Sequence, residues 1–80
     1  MSAPILVDAR GHKCPTPSLR LRKAIQTGPA GATYLLLATD PMARIDVPYL
    51  MEELGGTVAS IMTVAGVLRI TVETPAGPTD

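Results

Sequence analysis

Cys14 is the one cysteine in the chain, and it opens the run Cys14-Pro15-Thr16-Pro17. Pro is well tolerated in the first turn of a helix, where backbone N–H groups lack intrahelical partners. The run therefore predicts a thiol at a helix N-terminus, on a stiff stretch of chain and near the positive end of the helix dipole. That setting favours thiolate, the form of cysteine that acts as a nucleophile. The dipole alone contributes only about 0.3–1 kcal/mol at an exposed site, less than the roughly 1.4 kcal/mol of one pKa unit. Cations are needed as well. No acidic residue falls between Asp8 and Asp40, whereas Arg10, Lys13, Arg20, Arg22 and Lys23 all do. Arg10, His12 and Lys13 are expected to supply the field at the sulfur. Arg20 and Lys23 are expected to form a docking surface for acidic partners. Pro15 and Pro17 remove two first-turn donors, which leaves Thr16 and Ser18 as the expected donors toward the sulfur. His12 is read as part of the electrostatic surround rather than as a proton acceptor. One Cys and one His fall short of the usual ligand count, so no metal is expected.

The elements that position this run follow from the hydrophobic pattern. Ile5-Leu6-Val7 reads as a first strand. Asp8 to Lys13 reads as a loop, with Gly11 shaping it and Asp8 holding it by hydrogen bonds to backbone N–H groups. A first helix is predicted from about Pro15 to Thr27, with Pro17, Leu21, Ala24, Ile25 and Gly28 on one face. Gly28-Pro29 ends it. Thr33 to Thr39 is apolar without alternation, the pattern of a strand covered on both faces or placed centrally in a sheet. Asp40-Pro41 marks a turn, with one helical turn expected over Met42 to Ile45. Asp46 is read as the N-cap of a second helix with Pro48 in its first turn. Its apolar stripe is Val47, Leu50, Met51 and Leu54, and Gly55-Gly56 closes it. Thr57 to Val64 and Val67 to Thr74 form a hairpin across Ala65-Gly66.

The order β-α-β-α-β-β, with right-handed crossovers, predicts a two-layer α/β sandwich of the α+β kind. A four-stranded mixed sheet carries two helices on one face and leaves the other face partly open. At 80 residues the chain is expected to be a single domain over residues 1–74 with a flexible tail at 75–80. Its core is correspondingly thin. The composition is 46% hydrophobic and 18% charged, which fits a folded rather than a disordered chain. A lone cysteine excludes an internal disulfide, and neither a signal peptide nor a membrane span is evident, so a cytoplasmic setting is expected. Seven basic residues balance seven acidic ones, so net charge points to no nucleic-acid partner.

The combination Asp8-x-x-Gly11-x-x-Cys14-Pro15-x-Pro17, Asp40-Pro41 and Asp46-Val47-Pro48 resembles the TusA/SirA/YedF family of small sulfur-carrier proteins. The likeness runs from about Val7 to Val72 and includes the element order. It implies that Cys14 accepts sulfane sulfur as a persulfide, with no other cofactor. It also implies a donor such as a cysteine desulfurase or another sulfurtransferase, and an acceptor protein downstream. Family routes include tRNA thiolation, sulfur supply to cofactor synthesis and sulfur oxidation. The chain departs from the usual pattern at His12, where a leucine is common, and at Thr39-Asp40, where two aspartates are. Gly55-Gly56-Thr57 stands where a histidine often follows the second helix. These departures bear on partners and pathway.

A reading from a different class is a regulatory or adaptor module that binds a partner without moving sulfur. RNA binding is disfavoured, since the two tyrosines are the only aromatic residues and base stacking generally uses more.

Overall fold

The computed structural model describes residues 3–75 of the chain. Six elements follow one another: β1 Ile5–Ala9, α1 Thr16–Thr27, β2 Thr33–Ala38, α2 Ala43–Leu54, β3 Thr57–Val64 and β4 Val67–Glu73. The strands form one sheet in the order β1-β2-β4-β3. β1 and β2 are parallel, and β4 runs antiparallel to both β2 and β3. The last strand thus fills the gap that the second crossover leaves beside β2.

Alternation decides which side of the sheet is covered. Val7 and Ala9, Tyr34, Leu36 and Ala38, and Leu68, Ile70 and Val72 are all buried. They are alternate residues in register across three strands, so they share one face. Pro17 and Leu21 of α1 pack onto that face, with Ala24 and Ile25 partly buried beside them. Ala43, Val47, Leu50 and Met51 of α2 do the same. Full burial of a side chain such as Leu36 or Ile70 stabilises the fold by about 1.5–3 kcal/mol. Tyr34 reaches across this core and donates its hydroxyl to the Ala24 carbonyl at 3.3 Å.

The expected two-layer architecture, the helix faces and the hairpin are all present. β2 is central, but only one of its faces is buried; Leu35 and Leu37 lie half-exposed on the uncovered side. Its unbroken apolar run therefore reflects a sheet face left open, not a second covering layer. Of the tail expected over 75–80, Pro75 accepts a hydrogen bond from the Gly31 N–H at 2.8 Å, and the rest lies outside the described residues.

The second helix starts earlier than its sequence suggests. Asp46 sits in its first turn and caps nothing, while Pro48 lies inside the helix. The single turn expected over Met42 to Ile45 is the beginning of this same helix. Capping comes from Asp40, whose carboxylate accepts from the Met42 N–H at 2.9 Å and whose carbonyl accepts from Ala43 at 3.1 Å. Arg44 and Ile45 donate three residues back, to Pro41 and Met42, so this first turn is wound tightly. An Asp two residues before a Pro resembles a helix start, and here that resemblance misleads.

In the hairpin both central residues have positive φ, 51° at Ala65 and 80° at Gly66, as a type I′ turn requires. For Ala65 the left-handed conformation costs about 1–2 kcal/mol. Replacing Ala65→Asn, a residue that tolerates this region, is expected to raise the unfolding free energy by about 1 kcal/mol. The check is a higher denaturant midpoint at unchanged m-value.

Candidate functional site

Cys14 lies half-buried just before α1, with Pro15 at the N-cap position and Thr16 as the first helical residue. The Cys14–Pro15 peptide is cis. The loop that leads to it is tied at two points to the segment after β2. Gly11 donates its N–H to Thr39 Oγ1 at 2.9 Å, and Cys14 donates its N–H to Asp40 Oδ2 at 3.0 Å. Gly11 has φ 82°, a conformation that suits a residue without a Cβ. Thr39 and Asp40 thus hold the cysteine loop, and Asp40 simultaneously starts α2. Lys13 lies near enough to Asp40 to help keep its carboxyl below the usual range, after the two backbone N–H bonds from Met42 and Cys14.

Of the two backbone N–H groups expected to point toward the sulfur, that of Thr16 is engaged elsewhere. Thr16 N–H bonds the Lys13 carbonyl at 3.0 Å, and the Ser18 hydroxyl bonds the Pro15 carbonyl at 3.0 Å. The expected cations are also distributed differently. Arg10 is bound by Asp8 through two side-chain hydrogen bonds of 2.9 and 2.7 Å, and its N–H adds a third at 3.1 Å. Asp8 does hold the loop as expected. Those bonds to Arg10 keep its carboxyl low, at about 2. His12 and Lys13 are exposed and, with Gly11, Thr39, Asp40 and Pro41, line a shallow depression of about 350 Å³. Arg20 and Lys23 lie on the β1 side of α1, beside Leu6, Asp8 and Thr27.

What faces the sulfur is acidic. Burial pushes the Cys14 thiol up, a hydrogen bond to the Asp46 carboxylate adds to this, and the charges of Asp46 and Asp40 raise it further, to about 11. That direction runs against the thiolate expected from the helix start. Linear sequence proximity to Arg10 and Lys13 misjudged this environment, because α2 brings Asp46 to the sulfur from 32 positions away (46 − 14).

The surface beside Cys14 is a groove of about 450 Å³ between the two helices. α1 and its N-cap supply Pro15, Ser18, Leu19 and Arg22; α2 supplies Asp46, Tyr49, Leu50 and Glu53. Both sets have the spacing i, i+3, i+4, i+7, the signature of one helix face. Arg22 and Glu53 form an ion pair across it. Two of its lining side chains are large, apolar and exposed, Leu19 at 55% and Tyr49 at 71%, and α2 with the residue before it exposes two more, Ile45 at 53% and Met42 at 46%. Of these only Leu19 is picked out by the sequence pattern as pointing away from the core. The stripe Met42, Ile45, Tyr49 carried a readable signal at i, i+3 and i+7, hidden by placing the helix start at Asp46. Among the described residues, no group of three or more His, Cys, Asp or Glu is arranged to hold a metal ion. No described helix is long and apolar enough to cross a membrane.

Fold and site together define a small α+β protein that presents a single cysteine at a helix start, beside an open interhelical groove. The family described as Sulfurtransferase TusA matches residues 5–74, and the chain belongs to that family. A protein of Archaeoglobus fulgidus named "Putative sulfur carrier protein" is 38% identical over 68 residues, which cover 84% of this chain and 88% of that one. The crystal structure of a SirA-like protein from Desulfitobacterium hafniense superposes with a TM-score of 0.78 at 27% identity, covering 89% of this chain and 97% of that one.

Two outcomes follow from the charges. Alkylation of Cys14 is expected to be slow at neutral pH, roughly a hundredfold below an unperturbed thiol, given a rise from 9.0 to about 11. Its rate should keep climbing to about pH 11, which a pH–rate profile with iodoacetamide measures. Asp8 and Asp40 bind protons less readily in the folded state than in the unfolded one. Their stabilisation is therefore complete above the unfolded carboxylate range, near about pH 4, and is lost as pH falls toward about 2. Denaturant midpoints should fall across that interval, and less steeply in Asp40→Asn.

Proposed function

We propose that this protein carries sulfane sulfur as a persulfide on Cys14, taking it from a donor protein and passing it to an acceptor protein. The observation that carries this reading is the placement of the lone cysteine at the helix start, at the mouth of an open groove, in a chain of the TusA family. The name of the Archaeoglobus relative, a sulfur carrier, supports it. Donors of the fitting chemistry are a cysteine desulfurase or another persulfide-bearing sulfurtransferase. Acceptors would serve tRNA thiolation, cofactor sulfuration or sulfur oxidation, with the protein itself touching neither nucleic acid nor membrane and working in the reducing cytoplasm.

In loading, the Cys14 thiol gives its proton to solvent, and the thiolate attacks the terminal sulfur of the donor persulfide. The donor's S–S bond breaks, a new S–S bond forms on Cys14, and the donor leaves as a thiolate that takes up a proton. One sulfane sulfur changes hands with no net oxidation, so no external oxidant or separate cofactor enters. A lone cysteine suits this chemistry, since a neighbouring thiol would resolve the persulfide to a disulfide.

Incubation with a cysteine desulfurase and cysteine is expected to add one sulfur to the intact mass. The addition should be absent in Cys14→Ser and removable by a reducing thiol. Failure to gain sulfur from a range of protein donors would favour a partner-binding adaptor instead.

A further inference from the structure

The groove and the acidic surround of the sulfur have a joint consequence. Within the groove the one cation, Arg22, is already paired with Glu53. Asp46, which also lines it, stands close enough to the Cys14 thiol to help raise its pKa, after the larger effect of burial. The charged groups around the sulfur are Asp46 from α2 and Asp40 from the β2–α2 segment, with His12 and Lys13 on the loop and Lys13 close to Asp40. Arg10 is occupied by Asp8, and Arg44 reaches Thr63 Oγ1 at 3.3 Å. The site is thus apolar at its rim and anionic at its centre. Its complement is a surface with an apolar anchor and a positive charge.

We propose that the α1–α2 groove is where the sulfur-exchanging protein docks. The partner seats an apolar side chain between Leu19 and Tyr49 and brings a Lys or Arg against Asp46, so that Cys14 is released from Asp46 only in the docked complex. This rests on the reading of Cys14 as the transferring thiol. The free carrier then reacts more slowly with stray electrophiles than an unperturbed thiol does, and the part of that slowing due to Asp46 is what a partner's cation removes. A cation paired with Asp46 cancels a carboxylate charge that opposes ionisation of Cys14. Leu19 and Tyr49 supply the desolvated contact that makes such a pairing strong. Arg20 and Lys23 lie on the opposite side of α1 and are not part of this surface.

The test has three arms. Asp46→Asn keeps the side chain's shape and removes its charge. Without any partner present, its Cys14 should react with iodoacetamide at neutral pH at least roughly tenfold faster than wild type; equal rates overturn the gate. Leu19→Ala and Tyr49→Ala change exposed positions. Each should raise several-fold the concentration of persulfide-charged cysteine desulfurase needed for half-maximal loading, with the iodoacetamide rate unchanged; unaltered loading overturns the docking site. Loading of wild type should slow several-fold from low to high salt, and Asp46→Asn should lose most of that dependence; an equal salt dependence overturns the partner's cation. Absence of sulfur loading in wild type would overturn the sulfur-carrier reading itself, whereas the iodoacetamide comparison reports on Asp46 in either case.

Discussion

The Asp40 carboxylate is the joint on which the site depends. One oxygen accepts the Cys14 N–H and the other accepts the Met42 N–H. A single side chain therefore ends the cysteine loop and begins the second helix. The parallel pairing of β1 with β2 brings the ends of these strands, Ala9 and Ala38, side by side, so the two loops leave the sheet together. Thr39, the neighbouring residue, fastens Gly11 to the same segment. Because α2 starts from Asp40, its first turn delivers Asp46 to the sulfur. Where Asp46 stands relative to Cys14 is set by a hydrogen bond that neither residue's own element makes.

This geometry decides a contest between opposing electrostatic terms. A helix N-terminus favours a thiolate by about 0.3–1 kcal/mol at an exposed position, less than one pKa unit. Burial, the Asp46 hydrogen bond and two carboxylate charges act the other way and move the thiol up to about 11. The carboxylates and burial win. Pro15 and Pro17 are then better understood as architecture than as activation: Pro15 lines the groove and Pro17 fills the core.

Much of this was legible in the sequence where a periodic pattern met a single constraint. The core stripe Pro17, Leu21, Ala24, Ile25 and the stripe Val47, Leu50, Met51, Leu54 each had a helical period, and both face the sheet. Leu68, Ile70 and Val72 alternate along Val67 to Glu73 with polar residues between them, and all three are buried. Illegible were the features set by long-range placement. Of the five cations beside Cys14 in the chain, only Lys13 stays with Asp40; Arg10 turns to Asp8, Arg22 to Glu53, and Arg20 and Lys23 to the β1 side. Asp46 and Pro48 mimic a helix start, and only the tight turn wound from Asp40 shows that the helix is already under way. Local sequence reports propensity; it does not report which distant carboxylate a fold will set against a thiol.

A small carrier faces a requirement that an enzyme with a deep active site does not. On the proposed function its sulfur has to be reachable by both a donor and an acceptor, and in this fold Cys14 lies half-buried beside an open groove. Shielding by charge answers that requirement without moving parts. Burial, with Asp46 and Asp40 adding to it, raises the Cys14 pKa while the groove stays open, and on the proposed docking mode Asp46 is the carboxylate that a partner's cation meets. On the proposed docking mode, specificity lies in who can bring an apolar anchor and a positive charge together beside α1 and α2. The exposed Leu19, Ile45 and Tyr49, costly to leave in water and unused by the core, are the residues such a design would leave on the surface.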